Sequence, residues 1–330
     1  MSKKFLSFSL LLMCLVTPLS ALALPYTNLF VFGDSLSDVG NDLTITGGAV
    51  PGPTSDYPFG RFTNGYNYID GVSTTLFGYN TTSSLQGGSN YAYGGARTNS
   101  IVPELVPLGG LSVKQQVDQF VTTLGGGTAD DDALYVIWAG ANNIQDALRS
   151  STPRDVITAA VADIGSMLIE LANAGATQFL VINIPNLGLT PRVTELNNST
   201  VTNAATGLTN LFNLQLNSLL NSLTSLDITR FDAYSLIQQI VANPGAFGFS
   251  NVTNRCYTGD DLTWTGGGEV CSDPYAYLFW DGIHPTAHTH QILASYAYQA
   301  LIPTPTSLAL FILGVGLMGM RRAYFGGGNT

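Results

Sequence analysis

Short apolar runs alternate with longer amphipathic stretches along most of the chain. Runs of this length, bounded by turn-forming or polar residues, are typical of buried strands. They cover residues 29–32, 133–138, 179–184 and 226–231. Longer stretches, several with apolar positions every three or four residues, predict helices. These cover residues 66–77, 112–121, 153–174, 203–223 and 287–301. Strands that alternate with helices predict a parallel, doubly wound sheet with helices on both faces.

The pattern continues without a linker-like break, so one domain is favoured although 330 residues would also permit two. Both ends depart from it. At the N-terminus, Lys3 and Lys4 precede an apolar run over residues 5–16, and small residues follow at 21–23. This order predicts a secretory signal peptide over residues 1–23. The alternative, a membrane anchor, is disfavoured because the run is short. The domain is therefore expected to span residues 24–302.

The C-terminal segment, residues 303–330, has a different composition. Pro303-Thr304-Pro305 leads into a largely apolar run over residues 307–320, and Arg321-Arg322 follows. This order resembles the PEP-CTERM sorting signal of Gram-negative bacteria, although Thr304 stands where that motif usually has glutamate. The resemblance implies an exported, secreted or envelope-associated protein and a sorting enzyme as partner. The alternative is a tail anchor, for which the run is shorter than the roughly 20 residues that span a bilayer.

Composition narrows the classes of partner. Only 10% of residues are charged and the formal net charge is −10. The two end segments carry four positive and no negative side chains, so the charge of the remaining domain is −14. A Lys-poor, acidic domain argues against nucleic acid as a partner.

Two of the three cysteines lie in the predicted domain. Cys14 falls in the signal peptide, which leaves Cys256 and Cys271. In an exported protein an even pair predicts a disulfide, and two free thiols are the alternative. No Cys/His spacing indicates a zinc site.

Candidate chemistry begins directly after the first predicted strand. Ser35 follows the apolar run and Gly33-Asp34, at the strand end where open α/β sheets bind ligands. If a helix starts at Leu36, the Ser35 hydroxyl and its N–H lie at a helix N-terminus, where a serine can attack a carbonyl and hold the oxyanion. The alternative is an ordinary helix cap.

A serine nucleophile needs a base, and the chain has three histidines. His284 is preferred because Asp281 precedes it by three residues in a turn-rich segment, where a carboxylate can orient the imidazole. His288 and His290 are expected to cap the last helix or to face solvent. The alternative is a helix-entry loop in which Asp281 caps and His284 lies at the surface.

Four sequence blocks in order resemble the GDSL, or SGNH, family of serine esterases and lipases. They are residues 32–41 (FGDSLSDVGN), 90–96 (NYAYGGA), 138–143 (WAGANN) and 279–286 (FWDGIHPT). The first is similar to the branch of bacterial lecithinase/haemolysin-type esterases and plant GDSL lipases. The resemblance implies a three-layer α/β/α, flavodoxin-like fold with a parallel sheet.

The resemblance also implies roles within the site. Ser35, His284 and Asp281 would form the catalytic triad. The oxyanion would be held by the N–H groups of Ser35 and Gly95 and by the Asn142 side chain, with Gly94 as the alternative to Gly95. The family usually has aspartate after this asparagine, and here position 143 is asparagine.

The implied reaction is hydrolysis of a carboxylic ester through an acyl-enzyme, with a lipid, carbohydrate or other small ester as substrate and no metal or cofactor. Two other activities on the same fold remain open: an acyltransferase and a polysaccharide deacetylase. A non-catalytic surface or matrix protein is the alternative outside the enzymes.

Several residues near these blocks have open roles. Arg61 and Asn64 either brace the long loop after the nucleophile or contact substrate. Phe247 and Phe249 either line the cleft or belong to the core. Asp38 is expected to be structural or to orient the nucleophile loop.

Overall fold

The computed structural model describes residues 26–52, 56–99, 110–264 and 266–302. The predicted signal peptide and sorting segment lie outside the described residues. Within the described ranges, no helix combines the length and the hydropathy needed to cross a bilayer.

A parallel sheet of four strands forms the centre of the molecule, in the spatial order β1-β2-β3-β4. The strands are β1 (Leu29–Gly33), β2 (Leu134–Trp138), β3 (Gln178–Ile182) and β4 (Asp227–Phe231). Every residue of β2 is buried, as expected for a central strand covered on both faces.

An extended segment at residues 89–93 runs along the free edge of β1. It exchanges backbone hydrogen bonds with Val31 and Gly33 but makes only an isolated bridge at Asn90. This segment therefore forms an irregular edge of the sheet rather than a full strand. With this segment counted as second in the chain, the order is 2-1-3-4-5 and reverses at β1. Flavodoxin-like sheets have this order and bind ligands at the reversal.

Helices pack in two groups, one of α2 with α9 and one of α3, α4, α5 and α7. The helices are α1 (Asn41–Ile45), α2 (Tyr68–Phe77), α3 (Val113–Thr123), α4 (Ala141–Ala147), α5 (Pro153–Ala174), α6 (Pro191–Thr194), α7 (Ser199–Ser222), α8 (Ala233–Ala242) and α9 (Ala287–Leu301). A small parallel pair, β5 (Asn251–Arg255) and β6 (Tyr277–Phe279), lies outside the main sheet. The three-layer α/β/α prediction is confirmed.

The strongly periodic helices agree with the sequence pattern. The predicted bounds of the helices at 153–174 and 287–301 are those observed. Helix α7 begins four residues before its predicted start, because Asn198 accepts hydrogen bonds from the Thr200 and Val201 amides and caps it there. Short polar elements such as α4 and β5 were not predicted, since they carry no apolar period.

Candidate active site

Ser35 lies in a tight turn that follows β1. The amides of Ser37 and Asp38 both donate to the Asp34 carbonyl, over 2.9 and 3.0 Å. The chain makes this single turn and does not start the helix considered at Leu36. The next helix begins at residue 41.

Two buried amide side chains hold the turn in place. Gln116 of α3 accepts from the Gly33 N–H and donates to the Gly33 carbonyl, each over 2.9 Å. Asn90 donates to the Ser37 carbonyl over 2.8 Å. Both amides are fully buried, so the strand end and the turn are fixed from two sides. Gln116 was not predicted, because a glutamine within an amphipathic helix has no distinguishing signal.

The loop between β6 and α9 carries Asp281 and His284, the residues predicted to be the acid and the base. The Asp281 carboxylate accepts from the Ile283 and His284 amides through Oδ1, over 2.8 and 2.7 Å. The Trp280 amide donates to the His284 carbonyl over 2.8 Å. These bonds fold the loop on itself, which explains how a spacing of three residues brings the carboxylate to the imidazole.

Ser35, His284 and Asp281 form one line of hydrogen bonds. His284 Nε2 lies 2.8 Å from Ser35 Oγ, and His284 Nδ1 lies 2.6 Å from Asp281 Oδ2. Burial acts to raise the pKa of Asp281, but His284, Arg192 and a backbone amide together lower it to about 2. The carboxyl is therefore ionised at neutral pH and accepts the Nδ1 proton, which leaves Nε2 as an acceptor toward the serine.

Tyr57 contributes a further contact that was not predicted. Its hydroxyl donates to Asp281 Oδ2 over 2.7 Å, and the ring is fully buried against Tyr257 and Trp280. Tyr57 lies 224 residues from Asp281 in the chain. Its position in a loop rich in Gly and Pro gives no sequence signal for this role.

A disulfide joins Cys256 and Cys271. Cys256 packs in the same buried cluster as Tyr257 and Trp280. The amides of Cys256 and Tyr257 donate to the carbonyls of Phe279 and Trp280, over 3.1 and 2.6 Å. The cross-linked segment therefore supports the strand that leads into Asp281.

The three residues predicted to hold the oxyanion share one cavity. Ser35, Gly95 and Asn142 all line one cavity. Among the described residues, neither the Ser35 nor the Gly95 amide donates to a protein acceptor. The Gly94 amide, by contrast, donates to Asp38 Oδ2 over 3.3 Å. This difference favours Gly95 over Gly94 as the donor to a ligand.

The glycine block packs tightly against the nucleophile loop. A Cβ at Gly94 would lie 2.2 Å from Phe62 Cζ and 2.4 Å from Asp42 Oδ2. Gly95 has a φ of +72°, in the left-handed region that favours glycine. Asp38 accepts from several amides that follow it as well as from Gly94, so it connects the two loops.

Position 143 retains a structural contact without the charge that the family usually has there. Asn143 accepts from the Thr98 amide over 3.1 Å and donates to Thr98 Oγ1 over 3.2 Å. It braces the segment that follows Gly95. Of the two neighbouring asparagines, Asn142 lines the cavity and Asn143 does not.

Arg61 and Asn64 brace the long loop. Arg61 makes two hydrogen bonds of 2.9 Å to the Asp70 carboxylate. Asn64 accepts from the Ala287 amide at the start of α9 over 2.7 Å. Neither residue lines the cavity around Ser35. Their contacts therefore support a role in bracing the loop and not in contacting substrate.

The expectation that His288 and His290 cap helix α9 or face solvent is wrong, because the Thr286 side chain caps the helix and both imidazoles are buried. His290 is buried, accepts from the Tyr68 amide through Nδ1 over 3.2 Å, and burial lowers its pKa to about 3. His288 is buried between Tyr275 and Phe249. The two side chains lie on different sides of α9, and each is covered by a different part of the chain. Phe249 is likewise buried against His288 and does not line the cavity.

A cavity of about 440 Å³ opens beside Ser35 and His284. Its wall is mainly apolar, formed by Leu36, Phe62, Ile184, Ile237, Leu262, Trp264, Leu278, Phe279, Ile283 and Leu293. Polar and charged side chains, including Asn142, Gln145 and Arg192, lie along another part of the wall. Such a size and lining suit an organic ligand with an apolar chain. No three His, Cys, Asp or Glu side chains of the described ranges are grouped to hold a metal ion.

Comparison with known proteins gives one family. The family model described as GDSL-like Lipase/Acylhydrolase matches residues 29–297. A GDSL esterase/lipase of Arabidopsis thaliana is 28% identical over 319 residues, which cover 82% of this chain and 86% of that protein. Esterase EstA of Pseudomonas aeruginosa is 30% identical, and the match covers 94% of this chain but 52% of EstA.

Among solved structures, an acetylxylan esterase of Geobacillus stearothermophilus, Axe2, aligns with a TM-score of 0.45 at 13% identity. The alignment covers 83% of this chain and 93% of that chain.

Proposed function

The chain belongs to the GDSL-like lipase/acylhydrolase family, and from that premise we propose that it is an exported serine esterase that cleaves carboxylic esters through an acyl-enzyme. The observation that carries the proposal is the line of hydrogen bonds from Ser35 through His284 to Asp281, which opens into the apolar cavity.

Acylation starts from this line. Ser35 Oγ attacks the carbonyl carbon of the ester while His284 Nε2 takes the hydroxyl proton. Asp281 holds the ring in the required tautomer and stabilises the imidazolium that forms. The tetrahedral intermediate then breaks its bond to the alcohol oxygen, and His284 returns the proton to that leaving group. The products of this half-reaction are the free alcohol and the acyl-serine.

Deacylation repeats the steps with water as the nucleophile. His284 takes a proton from the water as it attacks the acyl carbon, and then gives that proton to Ser35 Oγ. The carboxylic acid leaves and the serine is restored. An alcohol in place of water would give acyl transfer, which is the alternative activity on the same groups.

The negative charge in both intermediates develops on the former carbonyl oxygen. The donors proposed for it are the Ser35 and Gly95 amides and Asn142 Nδ2, and the proposal is supported by the presence of all three residues in the cavity lining. Removing one such donor costs roughly 3–4 kcal/mol of transition-state stabilisation in a hydrolase of this type.

The cavity supports acyl groups longer than acetyl. An acetyl group would leave most of the apolar wall, such as Trp264 and Ile237, without contact. A longer chain would bury this surface at about 0.8 kcal/mol per CH₂. A polysaccharide deacetylase would instead need polar groups around a short acyl site.

Hydrolysis of p-nitrophenyl acetate, butyrate and octanoate, with wild type beside Ser35→Ala, tests the proposal. We expect kcat/KM to rise from acetate to the longer esters, and Ser35→Ala to lose activity on all three. Ser37→Ala is the matched control, because it removes a hydroxyl from the same turn, one bonded to Tyr68 and not to His284. Activity that survives in Ser35→Ala would overturn the mechanism, and a preference for acetate would favour the deacetylase.

Export is part of the proposal and rests on the sequence pattern at residues 1–23, with secretion or envelope attachment in a Gram-negative bacterium. The disulfide between Cys256 and Cys271 supports an oxidising compartment. Mass spectrometry of the mature protein from the native host is expected to show an N-terminus near residue 24. A C-terminus shortened within residues 303–330 would support action of a sorting enzyme, and an intact one would favour the tail anchor.

A further inference from the structure

Three side chains along the polar wall of the cavity form a directed chain of hydrogen bonds. Arg192 of α6 donates from Nη1 to Gln145 Oε1 over 3.1 Å. Gln145 Nε2 donates to Asn142 Oδ1 over 3.1 Å. Asn142 Nδ2 donates to the Ala96 carbonyl over 3.0 Å. Each side chain of the three lines the same cavity as Ser35.

The direction of this chain is set at both of its ends, by Arg192, which can only donate, and by the Ala96 carbonyl, which can only accept. A guanidinium group has only donors, so the atom of Gln145 that faces it must be the oxygen. The NH₂ group of Gln145 then faces Asn142, which must present its own oxygen. The NH₂ group of Asn142 is left with one hydrogen on Ala96 and one available to a ligand.

Arg192 is itself held by the loop that carries the triad acid. Its amide donates to the Gly282 carbonyl over 2.6 Å. Its Nη2 lies 3.0 Å from Asp261 Oδ2, and that oxygen also accepts from the Gly282 amide over 2.7 Å. Asp261 is 7% exposed, so its carboxylate is largely shielded from water, while the Arg192 side chain is partly exposed. The guanidinium is therefore placed by the residue that follows Asp281.

We propose that Arg192 is a positioning residue that acts through Gln145 to present the Asn142 NH₂ group to the oxyanion. Through Gly282 it also ties the oxyanion side of the site to the acid–base side. The inference rests on the proposed function, because it assigns a role within the same reaction.

Removal of Arg192 should therefore lower turnover more than it weakens substrate binding. Without Arg192, the Gln145 amide is free to turn its oxygen toward Asn142. The Asn142 NH₂ group can then donate to that oxygen and is turned away from the oxyanion. The oxyanion exists in the intermediates and not in the bound ester, so the change affects the transition state selectively. We expect kcat to fall about tenfold, part of the 10²–10³-fold that loss of an oxyanion donor costs, with KM changed less than about twofold.

A double-mutant cycle between Arg192→Met and Asn142→Ala is the central test, read as kcat on p-nitrophenyl butyrate. If Arg192 acts through Asn142, Arg192→Met lowers kcat in the wild-type background and leaves kcat nearly unchanged in the Asn142→Ala background. An equal loss of kcat in both backgrounds would overturn the proposal, because Arg192 would then act through the triad loop or the fold.

Arg255→Met is the matched control, because Arg255 lies 3.9 Å from the same Asp261 carboxylate and pairs with Glu195 but does not contact Gln145. Like Arg192→Met, this variant removes a positive charge near Asp261. Its kcat should nevertheless stay at the wild-type value. A loss of kcat in Arg255→Met as large as in Arg192→Met would assign the effect to Asp261 and contradict the proposal.

Gln145→Glu tests the polarity directly and does not depend on the stability of the arginine variants. The carboxylate keeps a partner for Arg192 but has no hydrogen to give to Asn142 Oδ1. We expect kcat to fall as in Arg192→Met. Full kcat in this variant would overturn the proposal. An inactive wild type, or an active Ser35→Ala, would instead overturn the proposed function, so the two failures are distinguishable.

Discussion

At the scale of single residues, Asp281 has the most constrained side chain of the site. Its carboxylate is fully buried and accepts four hydrogen bonds, from His284 Nδ1, the Tyr57 hydroxyl and the amides of Ile283 and His284. Every one of these donors requires an acceptor in its place. The side chain can therefore orient His284 only as an ionised carboxylate.

Asp281→Asn tests that requirement. An amide presents a donor where His284 or Tyr57 also donates, so the imidazole loses its correct tautomer. We expect kcat to fall by roughly three to four orders of magnitude, as with a triad aspartate elsewhere. Unfolding in urea is expected to show a loss of at most about 3 kcal/mol.

Tyr57→Phe is the comparison variant for Asp281→Asn. It removes one donor from the same carboxylate and leaves the charge, so most of the turnover should remain. An Asp281→Asn enzyme that loses stability and activity in equal measure would argue that the residue serves the fold alone.

Asp34 gives a prediction for the pH dependence of stability. Burial raises the pKa of Asp34 to about 6, although the Leu36 amide and the charges of His284 and Arg97 oppose the shift. Because the native pKa lies above the ordinary 3.8, the native state binds more protons than the unfolded state between these values. The contribution of Asp34 to the free energy of unfolding therefore falls as the pH rises from about 4 to 6.

Asp34→Asn removes this titration and keeps an acceptor for the Leu36 amide. Relative to wild type, the variant should gain on the order of 3 kcal/mol in the free energy of unfolding between pH 4 and pH 7. Urea unfolding at several pH values measures the gain. Asp132→Asn, which removes an exposed carboxylate, is the control, and a difference that does not vary with pH would contradict the prediction.

At the scale of elements, the segment closed by the disulfide supports the loop that contains Asp281 and His284. The bond joins Cys256 and Cys271 across a separation of 15 residues. The Tyr257 amide donates to the Trp280 carbonyl, directly before Asp281. Loosening this segment therefore disturbs the residue that orients His284.

Replacing both cysteines with alanine should lower the free energy of unfolding by about 3 kcal/mol in the chain-entropy model. It should also lower kcat, since the support of the Asp281 loop is weakened. Chemical unfolding and ester hydrolysis measure the two effects, and wild type reduced with dithiothreitol should reproduce them. Unchanged stability and turnover in both preparations would refute the role of the segment.

The elements differ in how far they could be predicted. Helix α5 and helix α9 agree with their predicted bounds, because long periodic patterns and terminal capping residues define them locally. The turn at Ser35 differs from the helix considered there: the Asp34 carbonyl accepts from the Ser37 and Asp38 amides, and the chain does not continue into a helix until residue 41. Local sequence patterns give no signal for this arrangement of hydrogen bonds.

At the scale of the molecule, residues 35 and 284 meet because the turn after strand β1 and the loop before α9 lie together at the carboxyl end of β1. The alternation of strands and helices is sufficient to predict that ligands bind at this end of the strands. The roles of Tyr57, Arg192 and Gln116 could not be predicted, because each acts through a partner distant in sequence whose pairing leaves no local pattern. Sequence blocks therefore identify the groups proposed to react, and the folded structure identifies those that hold them.

The folded molecule is predicted to activate Ser35 as a nucleophile. Labelling with a fluorophosphonate, followed by intact mass and peptide mapping, tests it without any choice of substrate. We predict one adduct on wild type, located on Ser35, no adduct on Ser35→Ala, and much slower labelling of Asp281→Asn. A folded wild type that takes no label, or a label on a residue other than Ser35, would contradict the account.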